Sequence, residues 1–240
     1  MPFLTELHTH TSEVSSCAHQ TAAQVADRYI AEGYSTIVVA NHYTKAVMER
    51  AGDDWEARAS YYLSGYRKMK EYAGDRLTVL LGIELRFTEN VNDYLIYGAD
   101  EEFVCTHPNL HEMTLKSFRA LADQEGLLIV QAHPFRNKMT VMPPELLHGI
   151  EVFNAHASHH ARNNLALEWC RRYGKIPTSG SDFHDADFYV AGGIITEQPI
   201  TSMEQLTSLL RAKKDYTLIC GGPAAERDGM SNFSAESLEQ

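Results

Sequence analysis

Leu127-Leu128-Ile129-Val130-Gln131-Ala132-His133-Pro134-Phe135-Arg136 is the stretch that decides the fold. Its apolar run is short and continuous rather than alternating, as in a strand covered on both faces. The run ends on an imidazole. Outward from it, the same pattern recurs. Runs rich in branched residues stand at 3–7, 36–40, 77–83, 94–97, 150–153 and 176–179. Helical spacing fills the gaps between them. Ala22, Val25, Ala26 and Tyr29 share one face, with Thr21 and Gln24 as a capping box and Gly33 as the stop. Leu115, Phe118, Leu121 and Ala122 make a second stripe ending at Gly126. Leu165, Ala166, Trp169, Cys170 and Tyr173 make a third ending at Gly174, and Met203, Leu206, Leu209 and Leu210 a fourth. Strand–helix alternation predicts a parallel α/β fold. Seven strands suit either a closed barrel or an open doubly wound sheet, and periodicity does not choose between them.

The chain of 240 residues is long enough for one domain with a sizeable core. Its net charge of −11 disfavours general binding to nucleic-acid backbones or anionic membranes. No apolar stretch approaches the length of a membrane span, and the N-terminal residues lack a signal-peptide pattern. Cys17, Cys105, Cys170 and Cys220 are scattered, which predicts free thiols and a cytoplasmic location. Cys17 could compete as a soft ligand, but is expected to be a small buried residue. Residues 53–76 read as an exposed helical excursion, within an insertion (44–75) expected to cover the site. Residues 224–240, rich in Ser, Glu and Ala, read as a loosely held tail.

The 12 histidines are distributed unevenly. His8 and His10 follow the first strand and His42 the second. Glu84 ends the third. His133, His156 and the pair Asp182 and His184 follow later ones. In a parallel barrel these ends share one mouth. His8-Thr9-His10 and Asp182-Phe183-His184 each put two ligand groups on one face of extended chain. Either pair alone reads as surface loop; together they read as one site. Imidazole with carboxylate suits Zn, Mn or Fe better than Ca or Mg. His107 and His111 are expected at the surface, His148 in a structural role, and one of His159 and His160 exposed. His19 lies in a loop beside the mouth.

The ordered set His8-x-His10, Asn41-His42, Gly82-Ile83-Glu84, His133-Pro134-Phe135-Arg136 and Gly180-Ser181-Asp182-Phe183-His184 resembles the PHP (polymerase and histidinol phosphatase) superfamily, over residues 4–196. The resemblance implies a distorted (β/α)7 TIM-like barrel, placed here as a single domain over residues 1–223, with two or three divalent metal ions at its mouth. It implies that His8, His10, Glu84 and Asp182 hold one ion, that Glu84 bridges to a second bound also by His133, and that His42 and His184 hold a third. Asp93 stands where many members have a histidine and is carried over as a ligand of the second ion. Ser15 and Ser16 stand where many have Asp or His, so His19 as a ligand requires a short insertion. Asn41 replaces a frequent Asp.

The expected chemistry is hydrolysis of a small phosphorylated substrate. Arg136 is placed to grip a phosphate oxygen, with Arg86 and Arg162 as weaker candidates. His156 is a candidate to donate a proton or contact phosphate. An amidohydrolase-like hydrolase is the alternative, but it often needs a bridging modified lysine. The nearest lysine is Lys138, five residues past His133. A nucleic-acid-processing role is the third reading, opposed by the acidic composition. Neither the oligomeric state nor the substrate is legible.

Overall fold

A computed structural model describes residues 2–238. The strands and helices are β1 (Phe3–Thr9), α1 (Ala22–Ala31), β2 (Tyr34–Val39), β3 (His42–Tyr43), α2 (Lys45–Met48), α3 (Trp55–Ala73), β4 (Thr78–Leu81), β5 (Ile83–Leu85), β6 (Tyr94–Tyr97), α4 (Glu101–Thr106) and α5 (Leu115–Glu125). There follow β7 (Leu128–Gln131), β8 (Gly149–Asn154), α6 (Asn163–Arg172), β9 (Ile176–Gly180), β10 (Ile194–Thr196), α7 (Met203–Ala212), β11 (Thr217–Leu218), α8 (Gly222–Asp228) and β12 (Phe233–Ser234). Helix ends form as their residues dictate. Thr21 and Gln24 make the reciprocal capping box of α1. Gly126 closes α5 in the left-handed region that glycine adopts without a Cβ penalty.

The strands make two six-stranded sheets, in the orders β12-β11-β10-β1-β2-β4 and β3-β5-β6-β7-β8-β9. The chain passes between the sheets four times, twice within one or two residues. β2 passes to β3 through Ala40 and Asn41, and β4 passes to β5 across Gly82. β1 and β9 pack together but share no ladder; a single bridge joins Thr9, the last residue of β1, to Phe183 beyond β9. Among the described residues, then, the expected barrel is not a closed hydrogen-bonded ring. Nor is it all parallel. β6 pairs antiparallel with both β5 and β7. Its starting end therefore lies with the finishing ends of its neighbours, which carries Asp93 to the same side as Glu84 and His133.

Two expectations about the periphery are corrected. Residues 53–76 are not an exposed excursion: α3 buries Ala59, Tyr62, Leu63, Tyr66 and Met69 against α1 and β4. A Cβ on Gly65 would sit 2.2 Å from Thr11 Oγ1, so the helix approaches the chain after β1 closely. The tail is not loose either. α8, β12 and the turn Ala235–Leu238 bury Ala224, Ala225, Ala235 and Leu238, and β12 pairs with β11. Residues 239–240 lie outside the described residues. His111, expected at the surface, is buried beside Tyr43. His148 accepts the Ile129 N–H and faces Asp123, a structural role as expected.

Candidate metal centre

Strand ends deliver the site. His8 and His10 come from the end of β1, His42 from β3, Glu84 from β5, and Asp93 from just before β6. His133 follows β7, while Asp182 and His184 follow β9. His8, His10, Glu84, Asp93, His133 and Asp182 are almost completely buried. His133 and Asp182 hold positive φ angles, 29° and 49°, uncommon for residues other than glycine. Hydrogen bonds hold these turns in place. The His133 N–H donates to Glu151 Oε2 at 2.9 Å, and the Ser181 N–H donates to Glu6 Oε1 at 2.9 Å.

The donor atoms converge. His10 Nε2 lies 3.1 Å from His8 Nε2, 3.2 Å from Asp182 Oδ1 and 3.3 Å from Glu84 Oε2. His8 Nε2 is 3.4 Å from Glu84 Oε1, and His133 Nε2 is 3.2 Å from that same oxygen. His42 Nδ1 comes within 2.5 Å of Glu84 Oε2, yet out of alignment, so both atoms are buried without a hydrogen-bond partner. His184 Nδ1 accompanies Asp182, 3.3 Å from Oδ1. Ring nitrogens facing one another and orphaned buried acceptors are what a cation satisfies and what a proton network leaves frustrated. The triads His8–His10–Asp182, His10–His42–His184 and His42–Glu84–Asp93 each gather ligand atoms within 4.8 Å of one another. Their nitrogen and oxygen donors fit Zn, Mn or Fe.

The electrostatics agree. Burial pushes Glu84 up, but His42 and His8 hold its carboxyl well below the usual range. Asp182 is likewise held low, by His8 and His184 against burial. His8 is driven well up by Asp182, Glu151 and Glu84 despite burial. His10, by contrast, is driven well down by burial and by the charges of His184 and His42. The buried carboxylates thus demand positive charge, and the imidazoles cannot all supply it as protons.

The surrounding residues separate by contact. Arg86 grips Asp93 bidentately at 2.7 and 2.8 Å, and Arg136 adds a contact at 3.3 Å. Asp93 therefore meets the cluster with both oxygens already engaged by arginine. A cavity of about 430 Å³ opens over the cluster, lined by Arg86, Arg136, His156, His159 and Phe188 among others. Larger grooves of about 540 and 700 Å³ lie elsewhere and gather no such ligand set. His156 accepts the Ser158 N–H at Nδ1, which leaves the proton of the neutral ring on Nε2. Burial lowers its pKa to about 4. Arg162 holds Phe135 O and Asn137 Oδ1, steadying the loop that carries Arg136, and does not line the cavity.

His19 is exposed at the rim and pairs with Asp185 at 2.6 Å, apart from the buried triads. Residues 44–75 do not line the cavity. Cys17 is exposed rather than buried and does line it. Burial raises its thiol, but hydrogen bonds with His184 and His42 outweigh that and bring it down to about 6. Sequence reasoning missed Glu151, which accepts from His8 Nδ1 at 2.7 Å, from the His133 N–H and from Asn154. A lone carboxylate inside the apolar run 150–153 was the available signal.

No family model matches the chain, and no curated protein matches it by sequence. Solved structures do. One is a two-domain protein from Bacteroides vulgatus containing a predicted PHP-like metal-dependent phosphoesterase: TM-score 0.66, 15% identity, 92% of this chain covered. The match spans 65% of that protein's length. PsfC from Pseudomonas syringae gives TM-score 0.64 at 16% identity, with 94% of each chain covered. The lesion-specific endonuclease PfuEndoQ from Pyrococcus furiosus gives 0.61 at 13%, covering 90% of this chain and 57% of that one. In fold, the chain is similar to structures that include a PHP-like metal-dependent phosphoesterase, in agreement with the motifs of its sequence.

Proposed function

We propose that this chain is a metal-dependent phosphoesterase that hydrolyses a small phosphomonoester, such as histidinol phosphate, a sugar phosphate or a nucleotide. The observation that carries the reading is the meeting of His8, His10, Glu84, His133 and Asp182 in one buried cluster beneath an arginine-lined cavity. We assign His8, His10, Glu84 and Asp182 to one divalent cation, Glu84 and His133 to a second, and His42 and His184 to a third. The two sheets are read as a distorted seven-stranded barrel, a single domain with this site at its mouth.

Bound there, Zn, Mn or Fe ions supply a hydroxide at neutral pH and neutralise charge on phosphoryl oxygens. The chain's own groups do the rest. Glu151 fixes the His8 tautomer by accepting its Nδ1 proton, so that Nε2 faces the cluster. Asp93 holds Arg86 and Arg136 at the cavity wall, where their remaining N–H groups meet phosphate oxygens. His156 presents Nε2–H toward the cavity as donor to the leaving oxygen or to phosphate.

The partner is taken to be a small molecule in the cytoplasm, because a chain of charge −11 has little general attraction for a nucleic-acid backbone. Among the described residues no helix is long and apolar enough to cross a membrane. The amidohydrolase-like alternative lacks its lysine: none lines the cavity, and Lys138 is exposed. Phosphate release across phosphomonoester and phosphodiester panels, set beside ammonia release, tests the reading. Asp182→Ala and His10→Ala should abolish phosphate release; full retention in both would overturn the mechanism.

A further inference from the structure

We infer that Glu6 is a positioning residue for the cluster: its carboxylate joins the end of β1 to the end of β9 and sets His8 against Asp182. This rests on reading the cluster as a cation centre and adds to it a residue outside the proposed ligand set. β1 and β9 pack together without a ladder. Their ends nevertheless carry His8 and Asp182, whose Nε2 and Oδ1 lie 3.5 Å apart. The backbone bond that does cross this seam, His10 N–H to Phe183 O at 3.2 Å, lies past both residues in the chain. Glu6 crosses it before them. Its Oε1 accepts the His8 N–H at 3.0 Å, the Leu7 N–H at 2.9 Å and the Ser181 N–H at 2.9 Å. One oxygen thus holds the backbone of a candidate ligand on β1 and the residue next to a candidate ligand after β9.

The other oxygen is as fully engaged. Glu6 Oε2 accepts the Ser181 O–H at 2.5 Å and the Tyr29 O–H at 3.0 Å. The direction of the serine bond is fixed, because Ser181 Oγ itself accepts the N–H groups of Ala191 and Gly192, each at 3.0 Å. Glycine lets that segment pass so near: a Cβ on Gly192 would stand 2.1 Å from the Gly180 carbonyl carbon. The register of β1 against β2 shifts between Glu6 and Thr9, and at that irregularity the carboxylate takes up the Leu7 and His8 N–H groups. Glu6 is completely buried, and all five of its bonds come from donors. A glutamine of nearly the same shape would turn an NH₂ group onto donors, so Glu6→Gln breaks the junction without opening a cavity.

The test is Zn²⁺ affinity of the full chain, by competition with a chromophoric chelator, in variants shown to be folded by circular dichroism. Glu6→Gln should weaken Zn²⁺ binding about 10–100-fold, the range for groups that orient metal ligands. Ser181→Ala, which removes the hydroxyl bond and keeps the N–H bond, should weaken it by a smaller factor. Tyr29→Phe removes a donor from the same carboxylate, but one carried by α1 rather than by either ligand-bearing strand end. It should lower the urea midpoint and leave Zn²⁺ affinity unchanged. Unaltered affinity in folded Glu6→Gln, or equal losses in Ser181→Ala and Tyr29→Phe, would make Glu6 a packing residue and overturn the inference while the cation centre stands. If Glu6→Gln does not fold, the comparison of Ser181→Ala with Tyr29→Phe decides alone. If wild type binds no Zn²⁺, the cation reading fails, and this inference fails with it.

Discussion

His8 Nδ1 donates to Glu151 Oε1 across 2.7 Å of space and 143 residues of chain. The contact fixes which nitrogen of His8 carries the proton and turns the other toward Glu84 and Asp182. Glu151 also accepts the His133 N–H, so one buried carboxylate orients two candidate ligands. Partners of this kind typically govern metal affinity by 10–100-fold. Glu151→Gln should weaken Zn²⁺ or Mn²⁺ binding by about that factor while the far-ultraviolet spectrum stays unchanged. Isothermal titration measures it; unaltered affinity would show that Glu151 only fills space.

Gly180 tests the same pair sterically. A Cβ there would stand 2.4 Å from His8 Cβ and 2.9 Å from Glu151 Oε1. His8 Cβ is fixed to the backbone, and Glu151 Oε1 is tied to His8 Nδ1. Gly180→Ala should cost about 1–3 kcal/mol of stability by overpacking, read from urea denaturation, and should lower metal content as His8 is displaced.

Arg136 meets both Asp93 and the cavity. Arg136→Ala should lower kcat/KM for the best phosphomonoester about 100-fold, the usual cost of removing one donor aimed at developing charge. Arg136→Lys should recover only part, since an ammonium lacks the planar fork. Metal content should be unchanged in both variants, which separates substrate contact from damage to the cluster.

His148 gives a pH signature remote from the centre. Burial depresses its pKa from 6.5 to about 4, and its neutral ring accepts the Ile129 N–H. Between those values the unfolded chain binds more protons than the folded one. Stability should therefore fall as pH drops from 6.5 toward 4, by about 1–3 kcal/mol from this residue, with nothing further lost below 4. His148→Gln should flatten that part of the profile. Urea midpoints at a series of pH values, wild type against variant, measure the difference.

The long apolar strands and the helix stops were legible because burial on both faces and capping chemistry are local signals. Thr21, Gln24 and Gly126 do what their residue types dictate. The reversal of β6 was not legible: Tyr94–Tyr97 reads identically in either direction, and only its pairing with β5 and β7 reveals the turn. β3, β11 and β12 have two residues each, too few for any periodicity. At the site, histidines stood out by spacing. Glu151 and Glu6 did not, since each is a single carboxylate inside a strand, and the partners that reveal its role include His8 and Ser181, more than a hundred residues away. Cys17 was misjudged because composition makes a lone cysteine a buried one, whereas the turn after β1 exposes it over the cavity.

Side chains from His8 to His184 are proposed to hold divalent cations together. Elemental analysis after chelator-free purification counts cation equivalents per chain. Wild type should carry two or three equivalents of Zn, Mn or Fe, with a clear loss in folded His10→Ala and Asp182→Ala variants. Fewer than one equivalent in wild type, after reloading with each of those ions, would contradict it.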